Sequence, residues 1–204
     1  MYSTRERIIQ AAIDVFFHKG FDAASMREIS EKAGVTKPMI YYHFKNKEAL
    51  YCHLLEEHLA VFCRNLETLL AADRGYIDLF YAVIDLYEST FSQSEKIYHL
   101  IQREISGNGR LVGFLTEKYF SRIFLCLAQF IQKGVAIGAI NPLLDSRLAG
   151  LTLSSILLFY FSQRNVLTRL SCYADPEIFS GDALRSHILN LFLCATTING
   201  EEQQ

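Results

Sequence analysis

Tryptophan is absent from this chain of 204 residues, and proline and glycine are scarce, at three and eleven residues. So few turn-forming residues exclude a collagen-like repeat and disfavour an all-β sandwich. Half of the residues are apolar and 21% are charged. A chain of this composition can bury a core, so extensive disorder is excluded, and its length suits one large domain or two small ones.

Cysteine is present, but not in a pattern that indicates disulfides or zinc. The number is odd and no CxxC pair occurs; the cysteines are Cys52, Cys63, Cys126, Cys172 and Cys194. The N-terminus carries charges where a signal peptide needs an apolar core. The longest uncharged run, residues 148–163, has 16 residues and is shorter than the roughly 20 that span a membrane. We therefore expect reduced thiols and a cytoplasmic protein.

Charge of one sign is also lacking overall, because the formal net charge is only −2. The distribution is uneven, however. Residues 1–50 hold eight Lys and Arg against six Asp and Glu, whereas residues 51–204 hold twelve against sixteen. This asymmetry is weak evidence for a basic module attached to an acidic body.

Helical periodicity runs through nearly the whole chain, and no stretch alternates apolar and polar residues as a half-buried strand would. Ser3 and Glu6 form the pattern of a capping box at the start of the first helix. Gly20 is suited to end that helix in a left-handed conformation. The sequence therefore predicts an all-α fold.

Two short helices follow the first one. A second capping box, Ser25 with Glu28, begins a helix that ends at a turn containing Gly34. Thr36 is placed to cap the next helix, which ends near Phe44. Two short helices joined by a tight glycine turn and braced by a preceding helix are typical of a helix-turn-helix, whose second helix reads the DNA major groove.

The faces of this second short helix follow from a rotation of 100° per residue. Ile40 and Phe44 share one side, which we expect to be buried. Pro38 and Tyr42 point the opposite way, and Tyr41 lies beside them. A purely structural helix would normally present Glu, Lys or Gln there, whereas aromatic rings with polar tips suit phosphates and thymine methyl groups.

Additional groups lie near this helix. Ser25 and Arg27 begin the preceding helix, whose N-terminal N–H groups and dipole can bind a phosphate. Lys45 and Lys47 add positive charge on the same side, although an ordinary solvated loop explains them equally well.

The arrangement of residues 5–50 resembles the DNA-binding domain of TetR-type transcriptional repressors. The resemblance lies in residues 5–12, 20–21, 25–29, 33–35, 40–44 and 45–50. It implies a homodimer that binds a near-palindromic operator and releases it when a small molecule enters the C-terminal domain. Together with the cap residue Thr36, the DNA contacts that it implies are Ser25, Arg27, Lys37, Pro38, Tyr41, Tyr42, His43 and Lys47.

The predicted organisation has an N-terminal three-helix domain in residues 1–46 and a larger helical effector-binding and dimerisation domain in residues 47–204. The remaining helices are expected at 47–72, 75–91, 94–106, 111–137, 145–163 and 182–198. The last two are apolar nearly all round, so we expect them to pair with a second copy in a four-helix bundle.

Aromatic residues of the middle helices are open to two interpretations. At helical spacing they are usually core, but they could line a cavity for a small apolar or aromatic effector if a few polar groups point into it. The candidate residues for this pocket are His58, Phe62, Phe80, Tyr81, Tyr87, His99, Phe120 and Phe124.

Enzyme signatures are lacking, and nothing in the sequence requires a cofactor. Residues 107–113 miss the GxGxxG pattern and follow a helix, and His53 with Glu57 gives only half of a metal site. We therefore predict a DNA-binding transcriptional regulator, a repressor released by its effector. The alternative is a DNA-bound adaptor or structural protein of the same fold that responds to no effector.

Overall fold

The computed structural model describes residues 3–107, 109–167, 169 and 181–193. The fold is all-α, as predicted. These residues contain no strand, only an isolated bridge between Ile140 and Leu193. The helices are α1 (Thr4–Ala23), α2 (Met26–Ala33), α3 (Lys37–His43), α4 (Lys47–Leu70), α5 (Tyr76–Ser106), α6 (Val112–Leu115), α7 (Ser121–Ala136), α8 (Ser146–Leu167) and α9 (Gly181–Phe192).

The predicted capping box at the start of α1 is present, whereas the helix ends later than predicted. The Ser3 hydroxyl accepts a hydrogen bond from the Glu6 N–H at 3.2 Å, and the Ser3 N–H donates to the Glu6 carboxylate at 2.7 Å. Helical geometry breaks at Gly20 (φ 77°, ψ 172°). The chain then makes one more helical turn to Ala23, so the predicted end was one turn early.

The later helices differ from prediction mainly at their joints. The two helices expected at 75–91 and 94–106 form a single α5 that is interrupted at Ser94 (φ −139°, ψ 33°). The helix expected at 111–137 consists of α6, a π-helical turn over Thr116–Phe120, and α7. Helix α8 continues four residues beyond the predicted end. Residues 194–198 of the last predicted helix lie outside the described part of the chain.

The chain divides into two compact units. The head unit comprises residues 1–62 and 93–119, and the body unit comprises residues 63–92 and 120–204. Helices α4 and α5 each contribute residues to both units. These units do not divide at residue 46, and the predicted functional domains 1–46 and 47–204 stay a prediction.

The head unit contains α1–α3, the first part of α4, and a segment that its helix-turn-helix motif alone would not require, residues 93–119. The Arg103 guanidinium donates to the Phe16 carbonyl at 3.3 Å. Arg110 pairs with Asp22 at 3.1 Å. The core of the head is fully buried and includes Ile8, Phe16, Ile29, Ile40, Leu50, Leu54 and Leu55.

The body unit has a core in which α7 packs directly on α8. Gly150 makes this approach close, because a Cβ at that position would lie 2.9 Å from the Ala128 backbone nitrogen. The ring of Phe80 is buried between those of Phe130 and Phe192, with centroids at 6.0 and 5.7 Å. None of the described helices combines the length and hydropathy that would be required to cross a membrane.

Candidate nucleic-acid interface

Helix α2 is fixed at both ends. Ser25 caps its start, because the Ser25 hydroxyl accepts the Glu28 N–H at 3.2 Å and the Glu28 carboxylate accepts the Ser25 N–H at 3.1 Å. Gly34 ends the helix in the left-handed region (φ 62°, ψ 39°). The capping box at Ser25 and a helix end at a turn containing Gly34 were both predicted from the sequence, whereas the left-handed conformation of Gly34 was not.

The turn after α2 is held by an arginine from α1. The Arg7 Nη2 atom donates to the carbonyl oxygens of Ala33 at 2.6 Å and Gly34 at 2.9 Å. A Cβ on Gly34 would lie 2.8 Å from this same nitrogen. Glycine is therefore favoured here by its left-handed backbone angles, and Arg7 holds the turn between α2 and α3 through two carbonyls.

Helix α3 is anchored on the side that the sequence predicted. Ile40 is fully buried, and Phe44 is buried at the end of the helix, where the Phe44 N–H donates to the Ile40 carbonyl at 2.8 Å. Thr36 precedes the helix without a side-chain capping bond and is exposed. The Thr36 hydroxyl is therefore available on the surface instead of being used by the cap.

The opposite side of α3 is open to solvent. Tyr42 is 82% exposed, and Tyr41 and Met39 are 45% and 42% exposed. Lys37 and Pro38 are exposed on the same helix. The predicted burial pattern of α3 is thus confirmed, and the two phenol rings lie on the outside of the head.

Two of these side chains have ring contacts with a neighbour on α3. The Lys37 Nζ atom lies 6.0 Å from the ring centroid of Tyr41. The half-buried His43 ring packs edge-on against Tyr42, with centroids 5.1 Å apart. A cation and an imidazole therefore flank the tyrosines, giving a surface that can donate hydrogen bonds to anionic groups.

Of the two predicted DNA contacts at the N-terminus of α2, the Arg27 side chain is more accessible to a ligand than that of Ser25. Ser25 is half-buried and committed to its capping box. The Arg27 side chain is exposed and pairs with Glu31 at 2.8 Å. Hydrogen bonds from Lys19 and Ser25 hold the pKa of Glu28 below its ordinary value. The carboxylate of Glu28 is thus charged at the start of this helix.

Lys47 has a different environment from the other predicted contacts. Its Nζ atom lies 2.8 Å from the Phe21 carbonyl oxygen, 3.2 Å from that of Asp22 and 2.9 Å from that of Ala24. It also lies 4.5 Å from the centroid of the Phe21 ring. Sequence reasoning did not find this arrangement, because it joins residues 23 to 26 positions apart.

His53, which the sequence suggested as half of a metal site, belongs to a charged cluster beside α3. Its Nε2 atom lies 2.6 Å from the Arg5 guanidinium and 3.1 Å from the Glu57 carboxylate. Arg5 also lies over the ring of Phe44 at 5.6 Å. Within the described residues no three His, Cys, Asp or Glu side chains are grouped closely enough to hold a metal ion.

The residues predicted to line an effector pocket are distributed over both units. In the head, Phe62 is buried, His58 and His99 are half-buried, and burial lowers the pKa of His58. The His99 ring lies 5.8 Å from that of Phe17. Their role as pocket residues stays a prediction.

The five other predicted pocket residues lie in the body unit. Phe80 and Tyr87 are buried, and the Tyr87 hydroxyl is 2.9 Å from that of Ser154. Tyr81 and Phe120 are half-buried, whereas Phe124 is exposed on α7. Phe80 is in contact with other core rings, so at this position the packed-core interpretation has direct structural support.

An open groove of about 270 Å³ lies in the body unit between α4 and α7. The groove was not predicted from the sequence. It is lined by Glu67, Leu70, Ala71, Cys126, Gln129, Phe130 and Lys133. Cys52, Cys63 and Cys126 form no disulfide within the described residues, and Cys172 and Cys194 lie outside those residues. Burial raises the pKa of Cys63 to about 11.

Helix α8 carries a row of exposed apolar side chains. Leu148, Leu151, Phe159 and Val166 are 65%, 44%, 63% and 56% exposed. Their spacing of three, eight and seven residues keeps them on one side of the helix. Leu191 on α9 is also 53% exposed. These two helices therefore present apolar surface that the described part of the body unit does not cover.

The helix-turn-helix part of the chain matches a known protein family. Residues 8–54 match the family model described as bacterial regulatory proteins, tetR family. The HTH-type transcriptional activator FasR of Mycolicibacterium smegmatis is 44% identical over 55 residues, which are 27% of this chain and 25% of that protein. Several curated relatives are matched over only 21–65% of their own length.

Two solved structures share the fold over almost the whole chain. A bacterial regulatory protein in the tetR family from Rhodococcus RHA1 has a TM-score of 0.75 at 20% identity, covering 96% of this chain and all of that one. The transcriptional regulator FadR from Bacillus subtilis, in complex with stearoyl-CoA, has a TM-score of 0.66 at 21% identity, covering 92% and 96%. Residues 8–54 therefore form a domain of the tetR family of bacterial regulatory proteins, and the chain as a whole shares the fold of these two structures.

Proposed function

We propose that this chain is a transcriptional regulator that binds double-stranded DNA through α3. The observation that carries this proposal is the exposure of Tyr41 and Tyr42 on a helix whose opposite side is anchored by Ile40. Exposing two aromatic rings to water has no structural benefit for the head. Inserted into a major groove, the same rings can contact thymine methyl groups, and their hydroxyls can bond to phosphates or base edges.

The neighbouring residues would fix the position of α3 on the duplex. Lys37 and His43 flank the tyrosines and can contact phosphates, while Thr36 and Pro38 lie at the start of the helix. Arg27 can exchange its exposed pairing with Glu31 for a phosphate, because an exposed ion pair contributes little stability. The backbone N–H groups that follow Ser25 can bind a second phosphate.

We propose a homodimer formed through α8 and α9. The exposed apolar row on α8 supports this proposal, because burying it against a second copy removes it from water. Two heads related by a two-fold axis would enter successive major grooves about 34–36 Å apart. The preferred DNA site would then be near-palindromic.

We propose that residues 47–204 bind a small apolar effector that changes DNA affinity. Helices α4 and α5 contribute to both compact units, so a change in the body unit can reach the head through them. The related FadR binds stearoyl-CoA, which supports an apolar ligand here. An effector acts only if its affinity differs between two arrangements, and such coupling is typically about 1–3 kcal/mol, or 5–150-fold in DNA affinity.

The contacts of residues 93–119 within the head support this route. Lys96 pairs with Asp14, and Lys118 pairs with Glu56 on α4. The Glu104 carboxylate accepts the Leu111 N–H at 2.7 Å. The end of α5 and the segment after it are thus joined to α1 and α4 by charged groups, and a shift of α5 would be felt by the DNA-binding helices.

We propose that DNA binding represses transcription and that the protein acts in the cytoplasm, where DNA and free thiols are both found. The competing proposal is an adaptor of the same fold that binds DNA without an effector. Thermal-shift screening of small apolar molecules separates the two proposals, because a ligand that binds only the folded state raises its midpoint. Effector control requires a stabilising compound that also changes DNA affinity, whereas an adaptor gives none.

The proposal of DNA binding is tested by gel shift with the full chain and duplexes selected from a random-sequence library. We expect one enriched, near-palindromic duplex whose affinity falls steeply with salt. Binding that stays independent of sequence after repeated selection would contradict specific recognition by α3.

A further inference from the structure

We infer that Lys47 is a positioning residue for DNA recognition and does not contact phosphate itself. This inference rests on the proposed DNA-binding function. Lysine at the edge of a DNA-binding head would ordinarily be assigned to the phosphate backbone. Here the ammonium group points toward the linker, defined as residues 21–24, which follows the break of α1 at Gly20 and leads to α2.

The donors of Lys47 are already used. An ammonium group has three N–H donors and no acceptor. The carbonyl oxygens of Phe21, Asp22 and Ala24 lie 2.8, 3.2 and 2.9 Å from Nζ, so each donor has an acceptor. Contact with a phosphate would require Lys47 to leave at least one of these carbonyls.

Phe21 and Asp22 lie in the last turn of α1, after the break at Gly20, and Ala24 directly follows that turn. The last carbonyl groups of a helix have no partner within it, and the dipole makes them negative. Helix α1 has no basic residue in its own last turn. Lys47, the first residue of α4, supplies that charge from outside.

The linker held by Lys47 leads directly to the DNA-binding helices. Ala24 is buried in an extended conformation, and the next residue, Ser25, caps α2. Lys47 also follows the buried Phe44 by three residues and so lies at the end of the α3–α4 loop. A single ammonium group therefore ties the entry to α2 to the exit from α3, which fixes the two helices relative to each other.

A second cation, from the 93–119 segment of the head unit, contacts the same linker. Arg110 pairs with the Asp22 carboxylate and lies 5.0 Å from the Phe21 ring centroid. The linker is thus held through its carbonyls by Lys47 and through its side chains by Arg110. Contacts to both the backbone and the side chains of residues 21–24 hold this segment in one conformation. A lysine that only binds phosphate needs a positive charge and a side chain long enough to contact the DNA.

The test compares Lys47→Met with Lys45→Met, a matched control two residues away in an exposed position. A duplex selected by the wild-type chain and a scrambled duplex are titrated at several salt concentrations, at a temperature where circular dichroism shows every variant folded. For Lys47→Met we expect about a tenfold loss of affinity for the selected duplex. We expect no loss for the scrambled duplex and an unchanged salt slope.

Lys45→Met should behave in the opposite way if Lys45 contacts phosphate. Its affinity for both duplexes should fall together, and the salt slope should decrease by about one for each phosphate that is no longer bound. If Lys47→Met shows this behaviour instead, Lys47 binds phosphate and the inference is wrong. If the folded Lys47→Met variant binds both duplexes as the wild type does, its role is only structural, and the inference is equally wrong.

A measurement on the wild-type chain covers the case in which Lys47→Met does not fold. Lysine acylation is followed by mass spectrometry with and without the selected duplex. We expect slow acylation of Lys47 that DNA does not change, and DNA-dependent protection of Lys37. Protection of Lys47 by DNA would overturn the inference alone, whereas a wild-type chain that selects no duplex would overturn the proposed function and this inference with it.

Discussion

Replacing Tyr42 by alanine separates DNA recognition from folding more sharply than any other single change in α3. Tyr42 is 82% exposed, so only about a fifth of its surface is covered by the head. An aromatic side chain buries roughly 150–250 Å² when fully covered, and a fifth of that is about 40 Å². At about 25 cal/mol per Å² this burial contributes about 1 kcal/mol.

Alanine recovers part of this loss, because its helix propensity is better than that of tyrosine by about 0.5 kcal/mol. The free energy of unfolding should therefore fall by only about 0.5 kcal/mol, which lowers Tm by a few degrees at most. The matched control is Ile40→Ala, where the side chain is fully buried. That change should cost about 2–5 kcal/mol, because it leaves a cavity in the head.

The effect of Tyr42→Ala on DNA binding should be much larger than its effect on stability. A good side-chain contact with a base edge is worth about 1–3 kcal/mol, and a dimer loses it twice. Affinity for a selected duplex, measured by fluorescence anisotropy, should fall by more than tenfold. Tyr42→Phe, assayed beside it, shows how much of the loss belongs to the hydroxyl.

Two results would refute this reasoning. If Tyr42→Ala binds the selected duplex as tightly as the wild type, the outer side of α3 does not read DNA. If Tyr42→Ala lowers Tm as much as Ile40→Ala does, the ring has a structural role that its exposure does not indicate.

Three further predictions concern the dimer, the ion pairs and the thiols. Phe159→Glu should convert the dimer to a monomer in sedimentation and weaken DNA binding, whereas Ile137→Glu, at a similarly exposed site, should leave the dimer intact. Hydrogen bonding from Lys96 lowers the pKa of Asp14, so its stabilisation is present above about pH 4 and is lost as pH falls through the lower native pKa. Asp14→Asn should therefore cost about 0.5–1 kcal/mol at pH 7 in denaturant titrations and much less near pH 2; an equal cost at both would contradict the ion pair. Because burial raises the pKa of Cys63 to about 11, roughly one in a thousand Cys63 side chains is a thiolate at pH 8. Cys63 should thus react with a disulfide reagent only on unfolding, and rapid reaction of the native chain would show that it is accessible.

The sequence predicted those parts of the head that depend on local rules. Capping boxes at Ser3 and Ser25, the turn at Gly34 and the buried side of α3 each follow from the residues within a few positions. They were therefore found with nearly correct boundaries. The exposure of Tyr42 followed from the same helical geometry.

Features that depend on long-range contacts could not be predicted. Nothing in the sequence near Lys47 indicates that its ammonium group meets carbonyls 23 to 26 residues earlier. The inclusion of residues 93–119 in the head rests on pairs such as Lys96 with Asp14, which are 82 residues apart. Such pairs leave no periodic pattern in one sequence.

For the aromatic residues of the body unit, the sequence could not distinguish a packed core from a ligand cavity. A ring at helical spacing has the same pattern whether it fills a core or lines a cavity. Phe80 is enclosed by Phe130 and Phe192, and only its tertiary neighbours distinguish the two. The π-helical turn over Thr116–Phe120 was likewise not predicted from the sequence.

Our main proposal is that the outer side of α3 binds a DNA major groove. It is tested most directly by cross-linking a photoreactive group at residue 42 of the full chain to a selected duplex and mapping the attached bases. We expect attachment to major-groove base positions in two half-sites, with centres one helical turn apart. Attachment to no duplex, or to positions scattered along the backbone regardless of sequence, would contradict it.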